Sequence, residues 1–113
     1  MVSNSDFRKL ALSFPDTVEL PHFEKTSFRA NKRIFATLAE KEKIACLLFS
    51  PLEQSVFCAF DKEVMYPVPN KWGKNGATFV DLTKVKKAML KDALRVAYCK
   101  VAPKEIAEKF QLK

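Results

Sequence analysis

The sequence predicts an α+β two-layer sandwich: an antiparallel sheet of about five strands with N- and C-terminal helices on one face. Three observations lead there. Apolar residues recur at helical spacing near both ends of the chain, β-rich runs divided by polar turns fill the middle, and 113 residues suffice for one domain but not two. Residues 1–113 are therefore read as a single domain.

Phe7, Leu10, Ala11 and Phe14 fall at i, i+3, i+4 and i+7 behind a candidate N-cap, Ser3, and Pro15 ends this first helix. Ser27–Ala30, Arg33–Ala39 and Ile44–Phe49 form a three-stranded meander, joined by the turns Asn31-Lys32 and Glu40–Lys43. Ser50-Pro51-Leu52-Glu53 is a capping box with proline preset at the first helical position, and it starts a short helix to about Phe60. Val64–Val68 and Ala77–Leu82 read as two further strands. The segment between them, from Pro67 to Gly76, holds two prolines and both glycines of the chain, so it is a loop with built-in backbone geometry. A long helix is expected from Thr83 to Lys100, with Ala102-Pro103 breaking it before a last amphipathic stretch through Ile106, Ala107 and Phe110.

Composition narrows the function classes. Hydrophobic residues make up 48% and charged residues 29%, which excludes a disordered chain, and no apolar run approaches the roughly 20 residues that span a bilayer. Cys46, Cys58 and Cys99 are odd in number, lack CxxC spacing and have apolar neighbours, so a reducing cytoplasm is expected. Twenty Lys+Arg against thirteen Asp+Glu give a net charge of +7, which favours polyanionic partners. His22 is the only histidine and has no cysteine near it in sequence; it is read as a hydrogen-bonded structural residue, and no metal site is expected. The chain has no GxSxG elbow, phosphate-binding P-loop or GxGxxG, and its carboxylate pairs sit beside lysines in turns, so no enzymatic activity and no cofactor are expected.

The basic residues are patterned. On the long helix, Lys84, Lys87, Lys91, Arg95 and Tyr98 gather opposite an apolar arc that includes Val85, Leu90, Ala93, Leu94 and Ala97. Lys86 and Lys100 fall near the ends of that arc, where their stems can lie on the core while the ammonium groups reach water. Lys84, Lys86 and Lys87 would crowd the first turn, where the helix dipole opposes cations. Arg29, Lys32 and Arg33 flank the first hairpin tip, and Lys71 and Lys74 bracket Trp72 in the Pro/Gly loop. Trp72 has two readings, a loop anchor that covers the core edge or a platform for base stacking.

Pro21-His22-Phe23, Ser27-Phe28-Arg29, Ile34-Phe35-Ala36-Thr37-Leu38 and above all Tyr66-Pro67-Val68-Pro69-Asn70-Lys71-Trp72-Gly73-Lys74 resemble the MmcQ/YjbR family, as do Val80-Asp81-Leu82 and Val101-Ala102-Pro103-Lys104. The resemblance covers nearly the whole chain. It implies a CyaY/frataxin-like, double-wing fold and, because family members are usually labelled DNA-binding, a DNA partner. Relatives often carry an aromatic residue after the second loop glycine, where this chain has Ala77. Frataxin-type iron binding rests on an acidic ridge, whereas the first helix here sets Asp6 beside Arg8 and Lys9.

Residues and resemblance together lead to one expectation: a non-enzymatic, cytoplasmic, monomeric module that holds duplex DNA by its phosphates. The residues expected to do so are Arg29, Lys32, Arg33, Lys71, Trp72, Lys74, Lys84, Lys87, Lys91 and Arg95, converging on one continuous surface. The rival expectation is a protein-interaction or small-ligand domain that uses the loop around Trp72 as a pocket edge.

Overall fold

The computed structural model describes residues 1–111; the side chains of His22, Ala107, Phe110 and Gln111 lie outside the described residues. In chain order the elements are α1 (Asn4–Leu12), β1 (Thr17–His22), β2 (Lys25–Ala30), β3 (Arg33–Ala39), β4 (Ile44–Leu48) and α2 (Pro51–Cys58). These are followed by β5 (Met65–Pro67), α3 (Lys71–Lys74), β6 (Ala77–Asp81), α4 (Lys87–Val101) and α5 (Lys104–Gln111). The strands form one antiparallel sheet in the order β1-β2-β3-β4-β6-β5.

The α+β architecture is the one expected, with one strand more. β1 had been passed over. Its alternating pair, Val18 and Leu20, is exposed, so it buries no face of its own, and it carries Pro21, which a sheet tolerates at an edge.

Two rows of cross-strand neighbours define the faces. Thr26, Leu38, Ala45, Val80 and Met65 run across the inner face, while Leu20, Ser27, Thr37, Cys46, Phe79 and Tyr66 run across the outer one. The helices cover the inner face. Phe7 of α1 meets Phe28 edge-on at 5.4 Å, and Tyr98 of α4 stacks on Phe14 at 4.7 Å and meets Phe35 edge-on at 5.7 Å. Each such aromatic pair adds about 0.5–1.5 kcal/mol beyond its burial. Tyr98, read from the sequence as part of the cationic helix face, is therefore a core residue. Its hydroxyl donates to the Pro15 carbonyl at 2.7 Å, which satisfies the one polar atom it buries.

Local chemistry sets the element ends. Ser3 Oγ accepts from the Asp6 amide at 3.0 Å, and Ser50 and Glu53 close their capping box with bonds of 2.8 and 3.1 Å. Asn31 and Lys32 have φ of 53° and 65°, so the β2–β3 hairpin turns in two left-handed residues, as the right-handed twist of its strands requires. The long helix starts four residues later than expected. Asp81 Oδ1 accepts from the amide and hydroxyl of Thr83 at 2.9 and 2.6 Å, and the Asp81 carbonyl accepts from Lys84 and Val85. This turn leaves Lys84 before the helix and Lys86 as its N-cap, with only Lys87 in the first turn. The expected dipole conflict at that end is correspondingly smaller.

Burial pushes the Tyr98 hydroxyl above its ordinary 10.0, with Asp16 and Cys99 adding to the effect, and burial likewise raises the Cys46 and Cys99 thiols above 9.0. The native state thus holds these protons more tightly than the unfolded chain does. Their contribution is full below the unfolded values and is lost as pH rises toward the folded ones. Urea midpoints are expected to stay level from neutral pH to roughly 9 and to fall above it. Tyr98→Phe should cost about 1 kcal/mol at neutral pH yet flatten the alkaline decline. An alkaline profile unchanged by Tyr98→Phe would contradict this assignment.

Candidate nucleic-acid interface

The Pro67–Gly76 segment is built around a single helical turn. Pro69 leads into Asn70, whose Oδ1 accepts from the Trp72 amide at 2.8 Å and so starts α3. Gly73 and Gly76 are required by close approach: a Cβ at Gly73 would stand 1.6 Å from the Val68 carbonyl oxygen, and one at Gly76 would stand 1.9 Å from that of Phe49. Gly76 also has φ of +114°, which a side chain would strain. From α2, Gln54 Nε2 donates to the carbonyls of Gly73 at 2.8 Å and Ala77 at 3.0 Å. One half-buried amide thus fastens the turn to the start of β6.

The turn presents Trp72 outward, 69% exposed. The indole does not cover the core edge, so the loop-anchor reading fails; Asn70, Gln54 and the two glycines do the anchoring. Beside Trp72 lies a depression of about 240 Å³ lined by Arg33, Ile34, Leu48, Phe49, Trp72, Asn75, Ala77, Lys100 and Val101. It sits where β3 and β6 begin and where β4 and α4 end. Its described lining combines apolar side chains with two cations, Arg33 and Lys100, and holds no carboxylate among the described residues. Lys71 and Lys74 are exposed on the same four-residue helix as Trp72. Lys32, also exposed, stands at the hairpin tip next to Arg33. Its left-handed backbone is one that a glycine would adopt more cheaply, by about 1 kcal/mol or more.

The other sequence-derived residues do not join this group. Arg29 follows the outer face and donates from Nε to Ser27 Oγ at 3.1 Å. Lys84 lies 3.8 Å from Glu63, at a separate cavity between α2 and the start of α4. Arg95 pairs with Asp92 at 3.3 Å. Lys87 and Lys91 stand near the start of α4, and at 1.5 Å per residue Lys87 is about 20 Å along the axis from Lys100. The expectation of one continuous surface is thus corrected: Lys84, Lys87 and Lys91 lie at or near the start of α4, with Glu63 against Lys84, Arg95 lies midway along the helix beside Asp92, and Lys100 lies at its end.

Lys100 was seen in the sequence as a cation at the end of the apolar arc, but it was not counted with the site. Gln54 was missed altogether. No local signal points to it, because the carbonyls it holds lie 19 and 23 residues away in sequence.

None of the three cysteines is among the described residues that line the depression. Burial raises the Cys46, Cys58 and Cys99 thiols, only partly offset at Cys46 by Lys25, so they remain protonated at neutral pH. None of the three forms a disulfide among the described residues. The side chain of His22 lies outside the described residues, and among the described residues no group of three or more metal-ligating side chains comes together. No helix among the described residues is long and apolar enough to cross a membrane.

Replacing Gln54 by Ala should leave the Gly73 and Ala77 carbonyls without this donor. The expected cost is about 1–3 kcal/mol in urea unfolding, with faster amide exchange confined to residues 70–77. Unchanged exchange there would show that the turn holds itself.

No protein-family model matches this chain, and no curated protein does. Among solved structures it is similar to the crystal structure of protein DR2400 from Deinococcus radiodurans, a DUF419 domain, with a TM-score of 0.77 over 100% of this chain and 91% of that one, at 20% identity. DUF419 is related to the MmcQ/YjbR family. The chain therefore has the DUF419 fold, an α+β sandwich with one helix-covered face.

Proposed function

We propose that the protein is a non-enzymatic nucleic-acid-binding module, a cytoplasmic monomer that holds DNA chiefly by its phosphates. The contact surface is the end of the sandwich formed by Arg33, Lys71, Trp72, Lys74 and Lys100, with Lys32 beside it. One observation carries this reading: the depression beside Trp72 is lined by Arg33 and Lys100 and, among the described residues, by no carboxylate. Cations with no acidic neighbour keep their full attraction for a polyanion, whereas Lys84 and Arg95 have theirs reduced by Glu63 and Asp92. The overall charge of +7 and the resemblance of Tyr66–Lys74 to the MmcQ/YjbR family support the same reading. The protonated thiols weigh against a nucleophilic enzyme.

The cations at the other end of α4, Lys87 and Lys91, contribute long-range attraction but no direct contact with the same stretch of backbone. Neutralising about four phosphates gives a dependence of log K on log salt near −3 to −4, so affinity should fall roughly 100-fold between 50 and 200 mM salt. Titrating labelled DNA at both concentrations checks this. Lys100→Ala should reduce the slope by about one unit, and Lys91→Ala by distinctly less. Binding that is absent at low salt, or indifferent to salt, would sink the proposal.

A further inference from the structure

We infer that the depression beside Trp72 receives an unpaired nucleobase, so that the surface prefers single-stranded nucleic acid, or a strand with an extruded base, over an intact duplex. This rests on the nucleic-acid reading above and adds the form of the ligand. Phosphate attraction alone requires cations, and it requires neither an exposed indole nor an apolar surface.

Here all three occur together. Trp72 stands 69% exposed on a turn fixed by Gln54 and by two glycines, so the backbone that carries the ring is preset and loses little freedom on binding. Ile34, Leu48 and the small Ala77 give the depression an apolar surface, and Arg33 and Lys100 in the same lining are cations available to the phosphates next to a seated base. Asn75, also in the lining, supplies an amide able to bond a base edge. At about 240 Å³ the space is below the range typical of drug-sized ligands, which suits a single ring system. In an intact duplex both faces of each base are occupied by stacking, so the indole can reach one only if the base leaves the helix.

Trp72 is the chain's one tryptophan, so its emission reports on this site alone. The intact protein would be titrated at low salt with three oligonucleotides of equal length: a mixed-sequence single strand, its duplex, and a single strand of abasic sites that keeps the phosphates without bases. The single strand should quench Trp72 and bind more tightly than the other two, which should leave the emission nearly unchanged. By fluorescence anisotropy, Trp72→Ala should weaken the single strand by about 5- to 100-fold while barely moving the duplex or the abasic strand. Trp72→Phe should keep most of the affinity. Because the side chain is exposed, these variants should fold as the parent does. Equal affinity for all three ligands with no quenching would overturn this inference and leave the phosphate-binding proposal standing. Failure to bind any of them would overturn both.

Discussion

The contact of Phe14, Tyr98 and Phe35 ties the two ends of the chain to the middle of the sheet. Tyr98 comes from α4, Phe14 follows α1, and Phe35 lies on β3 near the sheet centre. Once this cluster forms, α1 and α4 must lie on the same face. α4 is then fixed in rotation, because the residue that joins the core on one flank decides which lysines face outward. The Tyr98 hydroxyl could not be buried without a partner, and the Pro15 carbonyl provides it. Everything about the candidate interface follows from that placement, since it brings Lys100 to the end of the sheet where β3 starts.

Part of the molecule's local cost falls at that end. Lys32 occupies a left-handed backbone position where glycine would be less strained, and two glycines stand where any side chain would collide with a carbonyl. Gln54 spends its amide on the Gly73 and Ala77 carbonyls instead of on solvent. These features hold an exposed aromatic ring between cations, an arrangement that adds nothing to the burial of the core. At the start of α4, by contrast, Lys84 has a carboxylate neighbour and Lys87 lies in an ordinary first turn, and midway along the helix Arg95 pairs with Asp92.

Much of the fold was legible because its signals are local. The capping box at Ser50, the two-residue turn at Asn31-Lys32 and the glycine pair in the Pro/Gly loop each act within a few residues, and all of them are realised. β1 was not legible, because an edge strand with exposed Val18 and Leu20 carries no burial signal of its own and is specified by pairing with β2. The start of α4 was misread because the Asp81 side chain competes with the helix for the Thr83 amide.

The sequence by itself determined the elements, the excess of cations and the presence of a rigid aromatic loop, since each depends on residue type and short-range spacing. Only the tertiary structure decided which cations meet. Arg33, Trp72 and Lys100 are dozens of residues apart and become neighbours because strand order and the rotation of α4 bring three chain segments to one end of the sandwich. Arg29 is four residues from Arg33 in sequence, yet the pleat and the β2–β3 turn give its side chain to the outer face of the sheet. Sequence distance carries no information about such encounters, because they are settled by packing.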